Sequence, residues 1–527
     1  MIIFFASITC SVHSQQIKVI KSLEEIVESV PRSIQPKRLS DKDIHEMFLN
    51  VSSSLDKDQA ELPMSIHKLS SIGIGVARQI YQMGIQPYEL YNAPVEFCPY
   101  AEKPECDHNY QYRSYDGSCN NEKYPWYGMK NTPFRRLLKP AYHDNINEPR
   151  LRSTTGRLLS NPRKIAMDVH NPLDEYSDKF SSLLPHYAQF VAHDMSLIQL
   201  INEKSEKSDK PIKCYCYIDN SNCIKINMPK SDKINEDQEC MSTPRSSASF
   251  KSFNCDLGAR EQLNSKSHYL DLSQVYGTDT TEISNLRQFN GGLLKSATFN
   301  GNKKFQYLPF DKEGDCDEIK KDMNCLRAGD RRLLQNLHLA SMHTIWMRMH
   351  NMMAENLKEL NPSWDDEKLF QESRKMCSAM YQHTIYNEYL PVLLSSKVAE
   401  MYEIHSETVG YSSKYDPKVY PSVLNEAITA ALRFGHSMVR SEYTHVDSKY
   451  REHGELPISA IVFNTEKAFD NHTSIDTFIR SSVYNRAGKY DTHINDFLTN
   501  HLFENPKSER NKRVSLPALN IMVIFFD

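Results

Sequence analysis

Apolar residues recur at helical spacing along several stretches of the chain and predict a series of α-helices. Over 182–200, Leu183, Leu184, Tyr187, Phe190, Val191, Met195 and Ile198 follow the period of an amphipathic helix. The same pattern runs over 44–55, 66–83, a Met- and Leu-rich stretch at 332–360, 367–394 and 421–439. Between 96 and 150 it dissolves into Cys, Pro, Tyr and Asn, which reads as a long surface wrap. Residues 205–255 lack it as well and carry closely spaced cysteines among Lys, Asp and Ser. No run approaches the ~20 apolar residues of a membrane span. The closing IMVIFFD is too short for one.

Some of these helices carry candidate chemistry. Gln189 and His193 are one turn apart on one face, and Asp194 follows about 100° further round. One helix can therefore present an amide and an imidazole to one site and a carboxylate to its neighbour. Ser267, Tyr269, Asp271 and Ser273 alternate along SHYLDLS, and oxygen ligands at that spacing can wrap a hard cation such as calcium. Asp194 is a candidate second carboxylate. Arg433 and His436 are three apart and point the same way, and Arg332 starts the 332–360 run. Taken singly, each reads as a core histidine or a surface arginine. His343 and His350, seven apart on one face, read as core packing rather than metal ligands. The acidic stretch 311–322 lacks EF-hand spacing and reads as solvated.

Composition narrows the setting. A chain of 527 residues suits one large domain or two to three ordinary ones. With 63 basic and 67 acidic residues it does not look like a nucleic-acid binder. The 12 cysteines, mostly in short-range clusters, suit an oxidising compartment. MIIFFASITCSVHSQQ (1–16) reads as a signal peptide cleaved near Ser14, although it lacks a basic start. Residues 17–95 read as a prosegment or helical lead-in, and 96–527 as the main domain. If Cys10 leaves with the signal, 12 − 1 = 11 cysteines remain and one is unpaired; Cys377, inside a helical pattern, is the choice. Cys106 and Cys119 can staple a short loop, and Cys316 and Cys325 bracket another. Cys214, Cys216, Cys223, Cys240 and Cys255 read as a disulfide-laced region, since no CxxC pair suggests zinc. Asn50 and Asn471 open permissive glycosylation sequons.

Several long motifs, taken in order, carry a resemblance. YRSYDGSCNN (112–121), NTPFRRLLKPAYHDNINEPR (131–150) and FVAHDM (190–195) come first. REQLNSKSHYLDLSQVYGTD (260–279), AGDRRLLQNLHLASMHTIWMRMHN (328–351) and LRFGHSM (432–438) follow. Together they resemble the animal-type haem peroxidases, the group of peroxidasin, chorion peroxidase, myeloperoxidase and thyroid peroxidase, from about Cys106 to Asn520. The resemblance implies a mostly α-helical domain with haem between helices and disulfide-stapled loops. It implies His193 as distal base, Arg332 of AGD-x-R as the charge stabiliser, and Gln189 as the residue orienting water or peroxide. It implies His436 as iron ligand, Arg433 as partner of a haem propionate, and Asn520 as acceptor from the second nitrogen of His436. It places calcium on Asp194, Ser267, Tyr269, Asp271 and Ser273. The implied reaction reduces hydrogen peroxide and oxidises a phenolic, tyrosyl or halide donor, in oxidative stress or in matrix or eggshell cross-linking.

This sequence departs from the family in three places. Many members esterify haem through an Asp just before the distal His and a Glu three after the Arg; here those positions hold Ala192 and Gln335. One branch has a Met beside that Glu, where this chain has Asn336. Haem b is therefore expected to be held non-covalently. Beyond Asn520 the family continues through N-I-Q-R-x-R-D-H-G, whereas this chain reads IMVIFFD, so part of the domain is expected to be missing. The alternative is a secreted, catalytically degenerate binding or matrix protein.

Overall fold

A computed structural model describes residues 62–82 and 98–502, apart from 99, 101–102, 203–210, 233–238, 299–305, 312–324, 405, 408, 411 and 465–473. The signal and prosegment assignments up to 61, both sequons, Cys10, Cys316, Asn520 and most of 311–322 lie outside these residues. Helices dominate the described chain, and the sheets are short.

Helix α1 is Leu62–Gln82, α2 is Pro162–Val169, α3 is Leu183–Met195, α4 is Ser273–Tyr276, α5 is Leu337–Leu360, α6 is Asp366–Thr384 and α7 is Ser474–Tyr484. The main core forms where α5 packs against α3, α6 and α7, and it buries Phe190, Leu272, Leu339, Phe370, Tyr381 and Phe478. Side-chain caps set the helix starts. Asn336 accepts from the Leu339 amide at α5, and Asp365 accepts from the Lys368 amide at α6, where Asp366 and Glu367 also favour the positive helix end.

A second core holds α1. Ile66, Leu69, Val76 and Ala77 pack with Phe250 and Leu257. Arg78 pairs with Asp144 at 2.9 Å and Glu148 at 2.6 Å, and the Ala248 amide donates to His67 Nδ1 at 2.9 Å. The largest sheet is antiparallel and joins Thr132–Pro133, Glu261–Asn264 and Ala248–Ser249 in that order.

Three expected helices are shorter or broken, each for a local reason. The 182–200 helix ends at Met195, after which Ile198 and Leu200 bridge to Asn264 and Ser246. The 332–360 run is a 3-10 turn, Arg331–Gln335, and then α5; the Asn336 cap needs extended backbone, which breaks the two apart. The 421–439 run is a short helix, Asn425–Thr429, and a 3-10 turn, Ala431–His436. There the Thr429 hydroxyl turns back onto the Asn425 carbonyl, and Gly435 weakens any continuation. After α6, a π-helical turn at Ile385–Tyr389 precedes Pro391, which has no amide for a regular ladder.

Disulfides join Cys98 to Cys255, Cys106 to Cys119, Cys214 to Cys223 and Cys216 to Cys240. Cys377 is free and buried, as the cysteine arithmetic expects. Among the described residues no helix is long and apolar enough to cross a membrane.

Candidate active site

Three segments meet at a partly open site: the C-terminal half of α3, the Arg331–Gln335 turn with the start of α5, and the Ala431–His436 turn. Gln189, Ala192, Arg332, Gln335, Asn336, Arg433 and His436 are all half-buried there, while Phe190, Val191, Leu333 and Leu337 beside them are buried. His193 is buried, and its Nδ1 has no hydrogen-bond partner. Burial, and then the charge of Arg332, pull its pKa well below 6.5 and keep it neutral.

Arg332 is held rigidly. Its Nε donates to Asp330 Oδ1 at 2.9 Å and its Nη2 to Asp330 Oδ2 at 2.7 Å. Nη2 also reaches the carbonyls of Ser196 at 2.8 Å and His193 at 3.2 Å, which end α3. Asp330 is fully buried and lies 3.3 Å from Lys266 Nζ. Burial opposes its ionisation, but the charges of Arg332 and Lys266 hold it well below the usual carboxylate range. The backbone comes close here, since a Cβ on Gly329 would sit 2.1 Å from the Gly277 amide nitrogen. Asp330 and Lys266 were not singled out by sequence; the signal was an Asp two residues before Arg332, a common N-terminal cap spacing.

Gln189 is bound by its neighbours. Its Nε2 donates to Gln335 Oε1 at 2.8 Å, and Asn336 Nδ2 donates to Gln189 Oε1 at 3.0 Å. Burial, and then the like charge of Arg332, lower the Arg433 pKa to about 10, and its Nε has no partner. Burial and then Arg433 lower His436 to about 3, so its ring is neutral and fit to ligate a metal.

On the other face of α3, Asp194 enters the 267–273 loop. Its Oδ2 accepts from the amides of Asp271 at 3.1 Å and Leu272 at 3.2 Å, and its Oδ1 from the Ser273 amide at 2.6 Å. The Ser267 hydroxyl donates to Asp271 Oδ2 at 2.8 Å, and the Ser273 hydroxyl to the Asp194 carbonyl at 2.8 Å. Four of the five expected calcium residues thus meet, Ser267 and Asp271 through both side chains, and Asp194 and Ser273 through side-chain bonds to backbone. The fifth, Tyr269, turns its hydroxyl away to the Tyr127 carbonyl at 2.7 Å, leaving only its backbone for a cation. Burial, and then the Asp271 charge, raise Asp194 well above 3.8, and burial raises Asp271. Among the described residues no group of three His, Cys, Asp or Glu side chains stands ready for a metal, so carbonyls and hydroxyls would have to complete any calcium shell.

The family model for animal haem peroxidases matches residues 112–523, which spans every segment of this site. The chain belongs to the animal haem peroxidase family. It is 29% identical to a peroxidasin homologue of Caenorhabditis elegans over 95% of this chain and 41% of that protein. It is 34% identical to a chorion peroxidase of Aedes aegypti over 63% of this chain and 43% of that one. It thus spans about two fifths of the length of these curated relatives. Peroxidase A of Dictyostelium discoideum has a similar structure, with TM-score 0.62 and 25% identity over 79% of this chain and 76% of that one. A fatty acid alpha-dioxygenase of Arabidopsis thaliana, TM-score 0.58 at 15% identity over 91% of this chain and 70% of that one, shares the fold alone.

The residues present fit the haem for which this peroxidase family is named. A buried guanidinium nitrogen with nothing to donate to is costly, more so beside a second arginine. A haem carboxylate at Arg433 would answer both. His350 stays outside the site as a core residue, whereas His343, equally buried, lies near enough to His193, Arg332 and Asp330 for their charges to act on one another. His343 meets the Phe190 ring edge-on at 5.0 Å, and His350 pairs with the Gly292 carbonyl and the Tyr276 hydroxyl, each at 2.9 Å.

Proposed function

We propose that this chain is a secreted haem peroxidase that reduces hydrogen peroxide while oxidising a phenolic or tyrosyl donor, or a halide. The observation that carries this reading is the pair of unpartnered buried nitrogens, His193 Nδ1 and Arg433 Nε, at a site that also gathers Gln189, Arg332 and His436. Haem, when bound, supplies the iron at which peroxide reacts and through which electrons leave the donor. His436 would ligate the iron, Arg433 would pair with a propionate, and Asn520 would accept from the second ring nitrogen of His436. Ala192 and Gln335 offer no carboxylate for an ester, so haem would be held non-covalently and released by acid–acetone extraction.

His193 enters as a neutral base. It can take the proton from one peroxide oxygen and deliver it to the oxygen that leaves as water. Arg332, held by Asp330, keeps a positive charge beside that departing oxygen with little reorganisation. Gln189 would orient water or peroxide. A calcium at Asp194 and the 267–273 loop would clamp the helix that carries His193. The disulfides support an oxidising, extracellular setting. In this reading 1–16 is the signal and 17–95 a prosegment or helical lead-in, whose helix α1 packs on the main domain. A silent binding or matrix protein is the second reading, and the loss of both ester-forming carboxylates at Ala192 and Gln335 favours it.

An absorption spectrum of the protein expressed with haem, before and after one equivalent of peroxide, separates the two. The enzyme reading expects a Soret band that shifts with peroxide and disappears in His436→Ala. A Soret band that peroxide leaves unchanged would favour the silent protein, and no band at all would remove the haem reading.

A further inference from the structure

A glutamine amide has two N–H donors on one end and an acceptor oxygen on the other, so a free one can offer either end to a ligand. Gln189 is not free. Its Nε2 donates to Gln335 Oε1 and its Oε1 accepts from Asn336 Nδ2. Asn336 is itself immobilised, because its Oδ1 accepts the Leu339 amide at 2.8 Å and caps α5. Gln335 is the last residue of the turn just before that cap. Exchanging the two ends of Gln189 would set donor against donor and acceptor against acceptor. In the observed orientation these two contacts use one of the two lone pairs of Oε1 and one Nε2 hydrogen, and fix the direction of the second Nε2 hydrogen, which is left to donate.

We propose that Gln335 and Asn336 are positioning residues that lock the Gln189 carboxamide in one orientation, so that its second Nε2 hydrogen is held ready to donate to a small anion or peroxide oxygen in the site. The inference rests on the haem reading above. It gives Gln335, one of the two positions without an ester-forming side chain, and Asn336, where one branch of the family has a Met, a role in ordering the pocket. It also makes one side chain, Asn336, both a helix cap and a pocket determinant.

The cap and the donor can be separated. Asn336→Ser keeps an uncharged oxygen that caps α5, since Ser and Asn cap about equally well, but has no N–H for Gln189. Gln335→Met keeps the shape and removes the acceptor. The measurement is the dissociation constant of fluoride for the haem-loaded full chain, from the absorbance change, with each variant made in the unmodified and Gln189→Leu backgrounds. Each variant is expected to weaken fluoride about fivefold in the unmodified background, the effect of one misdirected hydrogen bond, and to add nothing when Gln189 is Leu. Asn336→Ser is also expected to leave the melting temperature unchanged. Fluoride binding that is unchanged in both variants, or weakened equally with Leu at 189, would overturn the inference while the haem reading stands. No Soret band in the unmodified chain would remove both.

Discussion

His193 and Asp194 are neighbours on one helix, yet their surroundings are opposite in kind. Asp194 enters a closed network, with three backbone amides on its carboxylate and a serine hydroxyl on its carbonyl. His193 keeps a nitrogen with no partner, beside half-buried side chains and two like-charged guanidinium groups. A saturated polar group holds the fold in place, whereas an unsatisfied one next to an opening is what a ligand can complete. The helix is thus anchored on one face so that the other can stay incomplete.

The sharpest way to break this contrast is to remove each residue in turn. Asp194→Ala leaves the buried amides of Asp271 and Leu272 without an acceptor, while that of Ser273 keeps Asp271 Oδ1, and should cost about 3 kcal/mol in urea unfolding. His193→Leu should change stability by less than about 1.5 kcal/mol while slowing the reaction with peroxide at least 100-fold, the scale of a lost general base. Equal stability losses would show that the two faces do not differ as described.

Acid and base should act on the buried histidines and on the buried carboxylates with opposite sign. Burial lowers the pKa values of His186 and His268 to about 3 and those of His343 and His350 to about 4. Unfolded, each would titrate near 6.5, so below that pH the unfolded chain binds more protons and stability falls as pH drops. The raised Asp194 and Asp271 work the other way: without a cation, stability falls as pH rises above about 4. A chelator should therefore lower the melting temperature more at pH 8 than at pH 5. An equal effect at both values would argue against a cation between these carboxylates. The smallest effect expected is at Arg433→Gln, which should weaken haem about tenfold in a titration with little change in melting temperature. Unchanged haem affinity would leave its unpartnered Nε without a purpose.

Much of this was legible in the sequence. The period of 182–200 gave the helix, and the one-turn spacing of Gln189 and His193 gave the shared face. The alternating oxygens of SHYLDLS placed Ser267, Asp271 and Ser273 together. What was not legible depends on contacts between distant segments. Periodicity cannot show that Asp330 ties Arg332 to the end of α3, or that Tyr269 spends its hydroxyl on Tyr127. Nor can it see a helix broken by a side-chain cap, as at Asn336, since the apolar pattern runs on across the break.

The Cys98–Cys255 bond also bears on how the molecule is made. It closes a loop with a sequence separation of 157 that contains the whole of α3, whereas the other bonds between described residues span 9, 13 and 24. Small rings can close from nearby chain, while the large one must wait until the α1 core brings its ends together. During oxidative folding, closure of that ring would report that the α1 core has formed. Cys377, buried and with its thiol pushed up to about 12, makes too little thiolate to reshuffle the finished set.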